Sequence, residues 1–207
     1  VELLNKYNIP LYAKSEIEGC EGKTEISKVS IRVKKNEIIK IKTSMLCVSG
    51  GLNPDVHLFT QSKGLLKWDE DLLAFKPDKT FQNTITLGSA NGNFSYENLI
   101  SEINKKLDFL EGVNDLEIKF NINGSKKFQI KELWETKHAR KSLWSKSFID
   151  LQNDVTTKDL RQAVLEGFNR IEHLKRFTTN SMGTDQGKIS SINALGIVSK
   201  ILKKDVS

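Results

Sequence analysis

Apolar and polar positions alternate with a period of two from Ile26 to Val33, through Val29 and Ile31, and again from Glu37 to Lys42, through Ile39 and Ile41. That spacing predicts two half-buried strands joined near Asn36 as a hairpin or meander. Val1 to Tyr7 has the pattern of a helix end, and Ile9 to Tyr12 that of a short strand. The continuous apolar run Met45 to Val48 predicts a strand buried on both faces, as in a parallel sheet. A loop-rich stretch then leads to about Asp78, and Thr84 to Leu87 reads as one more short strand. After a turn at Gly88 to Asn93, the stripe Leu99, Ile100, Ile103, Leu107 and Leu110 predicts a helix from about Ser95, its N-cap. Leu116–Ile122 and Lys127–Leu133 flank Asn123-Gly124 as the arms of a hairpin.

Beyond a Lys-rich connection over 135–146 the period becomes helical. Thr156 with Asp159 resembles a capping box, and Leu160, Val164 and Phe168 share a face that stops at Gly167. Ile171, Leu174 and Phe177 mark a second helix, and Ile192, Leu195, Val198 and Leu202 a third. The chain therefore divides into a mixed α/β part over 1–112, a hairpin and linker over 113–146, and a small helical domain over 147–207.

Composition adds limits. The 207 residues are 28% charged and 38% hydrophobic, an ordinary globular balance, and no apolar run approaches the roughly 20 residues of a membrane helix. The first residues lack both an initiator Met and a signal-peptide layout, so a piece of a longer, cytoplasmic protein is expected. Net charge is +6, from 32 basic and 26 acidic residues, but the lysines are scattered without an Arg-rich stripe. A solvated surface fits this better than a stand-alone nucleic-acid-binding module. The two cysteines, Cys20 and Cys47, sit at unrelated positions, which argues for a reducing compartment. Cys47 is expected buried and Cys20 in a turn.

Few residues have the spacing that chemistry requires. His57, His138 and His173 are far apart and lack metal-spaced partners, so packing or surface roles are expected. Asp69-Glu70-Asp71 suits a solvated turn better than a catalytic pair. No catalytic residue and no metal ligand is assigned. Gly88 and Gly92 open a turn before a helix N-terminus, where backbone N–H groups favour anions, although two glycines also suit a plain corner.

Three blocks together resemble the large subunit of heterotetrameric sarcosine oxidase. They are Val48 to Gln61 with Trp68-Asp69 and Phe75 to Pro77, then Leu87 to Gly92, and the most specific, Phe148 to Thr156 continuing through Glu172 to Thr179 and Met182 to Lys188. The resemblance covers most of the chain and is weakest over 1–45 and 108–145. It implies the second half of a fold with two dinucleotide-binding domains, the Gly-x-Gly-x-x-Gly turn lying upstream. The whole complex would demethylate sarcosine oxidatively to glycine, yielding formaldehyde or methylene-tetrahydrofolate and hydrogen peroxide. NAD would bind this subunit, with Gly88, Ser89, Gly92, Phe94 and Tyr96 at the family's contact positions. FMN would lie at the interface with a partner subunit, and FAD and tetrahydrofolate elsewhere in the complex. The chain alone would be inactive. A related amine or amino-acid dehydrogenase complex is the alternative.

The helical domain is also similar to the [2Fe–2S] domain of bacterioferritin-associated ferredoxin. Its four cysteine positions are here Asp150, Gln152, Asp185 and Ser190. Iron–sulfur clusters need thiolate, or occasionally imidazole, ligands, so a scaffold without its cluster is expected. Lys175, Arg176, Gln186 and Lys188 would then face FMN or a partner subunit; alternatively, Asp185 and Ser190 cap helices and the lysines are solvated.

Overall fold

The computed structural model describes residues 2–33, 37–106, 130–136 and 145–206. It forms two compact units, one of Val1–Ser49 with Leu133–Leu202 and the other of Gly50–Glu132 with Lys203–Ser207. These units cut across the segments 1–112, 113–146 and 147–207. The hairpin about Asn123-Gly124 lies outside the described residues.

In the first unit, helix α1 (Glu2–Lys6) precedes an antiparallel sheet of β1 (Glu16–Glu21), β2 (Lys28–Arg32) and β3 (Ile38–Lys42), in that order. The alternating pattern of 26–42 becomes the β2–β3 pair, with Val29 opposite Ile41 and Ile31 opposite Ile39. Strand β1 was masked by its irregularity, since the register shifts between Ile17 and Gly19. Cys20 lies in this strand opposite Val29, not in a turn. The expected strand at Ile9–Tyr12 has no ladder.

Met45–Val48 is a second correction. It joins no strand pairing, and Met45, Cys47 and Val48 are exposed. A continuous apolar run becomes a doubly buried strand only where layers cover both faces, and among the described residues every strand pairing is antiparallel.

The same unit contains the helical domain. The short strands β6 (Phe148–Asp150) and β7 (Val155–Thr156) pair antiparallel and lead into α4 (Thr157–Leu165), α5 (Ile171–Thr178) and α6 (Ser190–Leu202). The capping box forms: the Asp159 carboxylate accepts from the Thr156 backbone N–H at 2.8 Å and from its hydroxyl at 2.6 Å. Gly167 ends the first helix at φ +94°. Leu160, Ala163, Leu174, Ala194, Ile197 and Val198 form the core, with Val155 at its edge. Phe168 stacks on Phe177 at 4.5 Å. At Gly196 a Cβ would lie 2.3 Å from the Trp134 ring, so only glycine admits the indole there.

The second unit holds α2 (His57–Gln61), the hairpin β4 (Leu65–Asp69) and β5 (Ala74–Lys79), a 3-10 turn (Gly88–Asn91) and α3 (Tyr96–Lys106). The β4–β5 hairpin occupies a stretch expected to be loop. Its alternation is blurred by the adjacent apolar pairs Leu65-Leu66 and Ala74-Phe75, and Pro77 sits beside a register shift, where a sheet tolerates proline. Trp68 packs edge-on against Phe75 at 5.1 Å. Asp69-Glu70-Asp71 is a turn: Asp69 accepts from the backbone of Asp71 and Leu72 and pairs with Lys76. The Lys76 hydrogen bond holds its carboxyl below the ordinary aspartate value, against the opposing effect of burial.

Candidate functional site

Two loops of the helical domain meet at the four positions picked out by the ferredoxin likeness. The first, after β6, turns on Asp150, whose Oδ1 accepts from the backbone of Gln152 at 2.9 Å and Asn153 at 3.2 Å. Its Oδ2 accepts from the buried backbone N–H of Ser181 at 2.8 Å, which fastens the second loop to the first. The Gln152 side-chain amide oxygen accepts from the Asp185 backbone N–H at 3.3 Å. Beside them the Ser181 and Ser190 hydroxyls share a hydrogen bond of 2.9 Å, and Ser191 donates to Ser181 at 2.9 Å. Asp185 in turn accepts from Gly187 at 3.1 Å and Ile189 at 3.3 Å, just ahead of α6.

Asp150, Gln152, Asp185 and Ser190 are thus brought to one place, where the two carboxylates and the Gln152 amide oxygen accept from backbone N–H groups and Ser190 bonds the Ser181 hydroxyl. Asp150 is only 3% exposed. Burial pushes its carboxyl up, but hydrogen bonds from Ser181, Gln152 and Asn153 prevail and hold it below the ordinary value. The loops also carry four non-glycine residues at positive φ: Asp154, Thr179, Ser181 and Gln186. Such conformations persist only where the surroundings hold them. Among the described residues, no three His, Cys, Asp or Glu side chains gather as a metal ion would need.

The depressed Asp150 value fixes the sign of a pH effect. The folded state binds this proton less readily than the unfolded chain does, so the carboxylate's contribution is complete at neutral pH. It falls as pH drops through the ordinary aspartate range, about 3.9, and is lost below the folded-state value. Acid melting followed by circular dichroism is expected to show this decline in the wild type and a flatter one in Asp150→Asn.

The residues expected near FMN or a partner sit around these loops. Arg176, Gln186 and Lys188 are exposed and Lys175 is half-buried. The Gln186 amide donates to the Gly183 carbonyl at 3.0 Å, so it serves its own loop. His173 is exposed, and His57 faces Asp55 at 2.8 Å. His138 lies outside the described residues.

The turn before α3 has a centre that the sequence did not suggest. Glu102 reaches back from α3 and accepts from the Gly88 backbone N–H at 3.0 Å, from the Asn93 side-chain amide at 2.6 Å and from the Asn91 amide. Burial raises its carboxyl, but the hydrogen bonds from Asn93, Gly88 and Asn91 and the Lys106 charge hold it below the ordinary value. Gly88 is buried, and Ser89, Phe94 and Tyr96 are exposed, Tyr96 by 73%. Ser95 caps α3, accepting from the Asn98 N–H at 3.4 Å. Thr84–Leu87, expected as a strand, pairs with no other strand.

This mixed helix-and-sheet chain, whose helical domain is a three-helix unit with two interlocked loops, is similar to known oxidoreductase subunits. Residues 144–207 match the sarcosine oxidase A3 domain family. Across most of its length the chain is similar to a stretch of curated sarcosine oxidase alpha subunits. It is 28% identical to that subunit of Rhizobium meliloti (strain 1021) over 92% of this chain and 19% of the relative. It is 28% identical to that of Corynebacterium sp. (strain P-1) over 79% of this chain and 18% of the relative. The chain thus spans about a fifth of the length of the curated relatives it matches. The fold is shared with a crystal structure of L-proline dehydrogenase from P. horikoshii. There the TM-score is 0.61 at 18% identity, over all of this chain and 43% of the other. Among the described residues no helix is long and apolar enough to cross a membrane.

Proposed function

We propose that this chain is a scaffold segment of the alpha-type subunit of a multi-subunit sarcosine oxidase, and that it carries no part of the amine-oxidising centre. The observation that carries this is the pairing of an A3-domain match with loops joined by the Asp150 and Gln152 side-chain oxygens, which accept from the chain's own backbone N–H groups. The complex as a whole would convert sarcosine to glycine, with formaldehyde or methylene-tetrahydrofolate and hydrogen peroxide as the other products.

Within that complex, Lys175, Arg176 and Lys188 would supply positive charge from the helical domain, suited to the phosphate of FMN or to an acidic partner surface. Bound FMN would supply electron transfer; the residues here contribute charge and position only. NAD, where it touches this chain, would meet the exposed Ser89, Phe94 and Tyr96. A second reading, a dehydrogenase complex for another amino acid, is supported by the shared fold with L-proline dehydrogenase. In either case the substrate is selected outside this chain.

The chain tagged in its native host is expected to co-purify with a flavin-bearing subunit, and the recovered complex to consume oxygen with sarcosine in preference to proline. The purified chain alone is expected to turn over neither. Sarcosine oxidation by the isolated chain, or salt-sensitive nucleic-acid binding in place of a flavoprotein partner, would defeat the proposal.

A further inference from the structure

We infer that the turn from Gly88 to Asn93 is an anion cradle which the chain has filled with its own Glu102 carboxylate, leaving it closed to a dinucleotide pyrophosphate. Three hydrogen-bond donors converge on this one side chain. The Gly88 backbone N–H lies 3.0 Å and the Asn93 amide 2.6 Å from Oε2, and the Asn91 amide bonds Oε1. Lys106 Nζ stands 3.7 Å from Oε1 and also donates to the Thr86 carbonyl at 3.2 Å. Backbone N–H, amide and ammonium donors around a nearly enclosed oxyanion are the chemistry by which proteins bind carboxylate and phosphate. Here the anion is covalently part of the chain, and its side chain is 10% exposed.

The remaining features of the turn agree. The Gly92 and Asn93 backbone N–H groups are used within it, on the Ser89 carbonyl at 3.1 Å and the Gly88 carbonyl at 2.9 Å. Both glycines have internal reasons. Gly92 is at φ +81°, and a Cβ there would come within 2.5 Å of Leu72; Gly88 is at φ +63°, with Leu99 3.0 Å from its own Cβ position. Neither is kept open for a ligand's approach. A phosphate entering the turn would have to displace Glu102 or sit beside its negative charge. Any dinucleotide meeting Ser89, Phe94 and Tyr96 therefore presents a base or sugar there, with its pyrophosphate held elsewhere. This inference rests on the turn's own geometry and stands whether or not the chain serves an oxidase.

The test uses the full chain and two probes. In an amide NMR titration of the wild type with inorganic pyrophosphate, the signals of Gly88, Asn91 and Asn93 are expected to stay in place, whereas saturable shifts there would overturn the inference. Glu102→Ala is expected to melt below the wild type and to regain stability saturably with formate, with chloride at equal ionic strength as control. The wild type gains nothing from formate. A folded Glu102→Ala chain that ignores formate would also overturn the inference; if that variant does not fold, the wild-type titration decides alone.

Discussion

Replacing Asp150 with alanine is expected to destabilise the helical domain by about 3 kcal/mol, because a buried backbone donor left without an acceptor costs roughly 1–3 kcal/mol and each further hydrogen bond lost at the surface costs roughly 0.5–1.5 kcal/mol. The buried donor is on Ser181, and two more, on the exposed Gln152 and Asn153, depend on the same carboxylate. The Ser181 bond joins segments 31 residues apart in sequence, so its loss should free the loop before α6 as well as the one after β6. Asp150→Asn keeps one acceptor oxygen and is expected to cost less, about 2 kcal/mol, since the amide turns a donor toward a donor. Urea denaturation followed by tryptophan fluorescence, with the Trp134 indole against Gly196 as reporter, measures both. Near-wild-type stability of Asp150→Ala would mean that the loops are held by something other than this carboxylate.

The second large effect is in the core. Leu160 is fully buried among α4, α5 and α6, and Leu160→Ala is expected to cost about 2–5 kcal/mol through lost burial and the cavity left behind. Leu165, five residues later in the same helix, is 80% exposed, and Leu165→Ala is expected within about 0.5 kcal/mol of wild type. The contrast in urea midpoints between these two Leu→Ala changes tests which face of α4 is turned inward. Similar losses at both would contradict the helix packing described.

These two sites also show how far the sequence could be read. The Leu160 face was legible because the core is built on helical periodicity, and Thr156 with Asp159 marks its beginning in the sequence. Asp150 was visible only as an oxygen where the ferredoxin pattern has sulfur. Its partners are backbone N–H groups, one of them far along the chain, and no side-chain spacing announces a bond to backbone. Glu102 was hidden for the same reason: on a helix, its position looks like one more solvated acid, and its three acceptor bonds depend on how the preceding turn folds back.

The errors have physical causes too. Met45–Val48 is as apolar as a buried strand, but apolarity does not supply the covering layer, and Cys47 is exposed with it. The β4–β5 hairpin was missed because its ladder is carried by lysine stems and an aromatic pair, with Pro77 at the irregular register. Strand β1 was missed because its shifted register at Ile17 and Gly19 breaks the alternation on which recognition depends. The division of the chain into units was not readable either, since residues 1–49 group with 133–202 across a long separation in sequence.

The account rests on the two loops of the helical domain being held together by side-chain oxygens belonging to the chain. The most direct test is thermal melting of the purified full chain before and after exhaustive treatment with a strong iron chelator and dithionite, with iron quantified in parallel. An unchanged melting temperature and no stoichiometric iron are the predicted result. Stoichiometric iron, together with a melting temperature that collapses when it is stripped, would contradict the account.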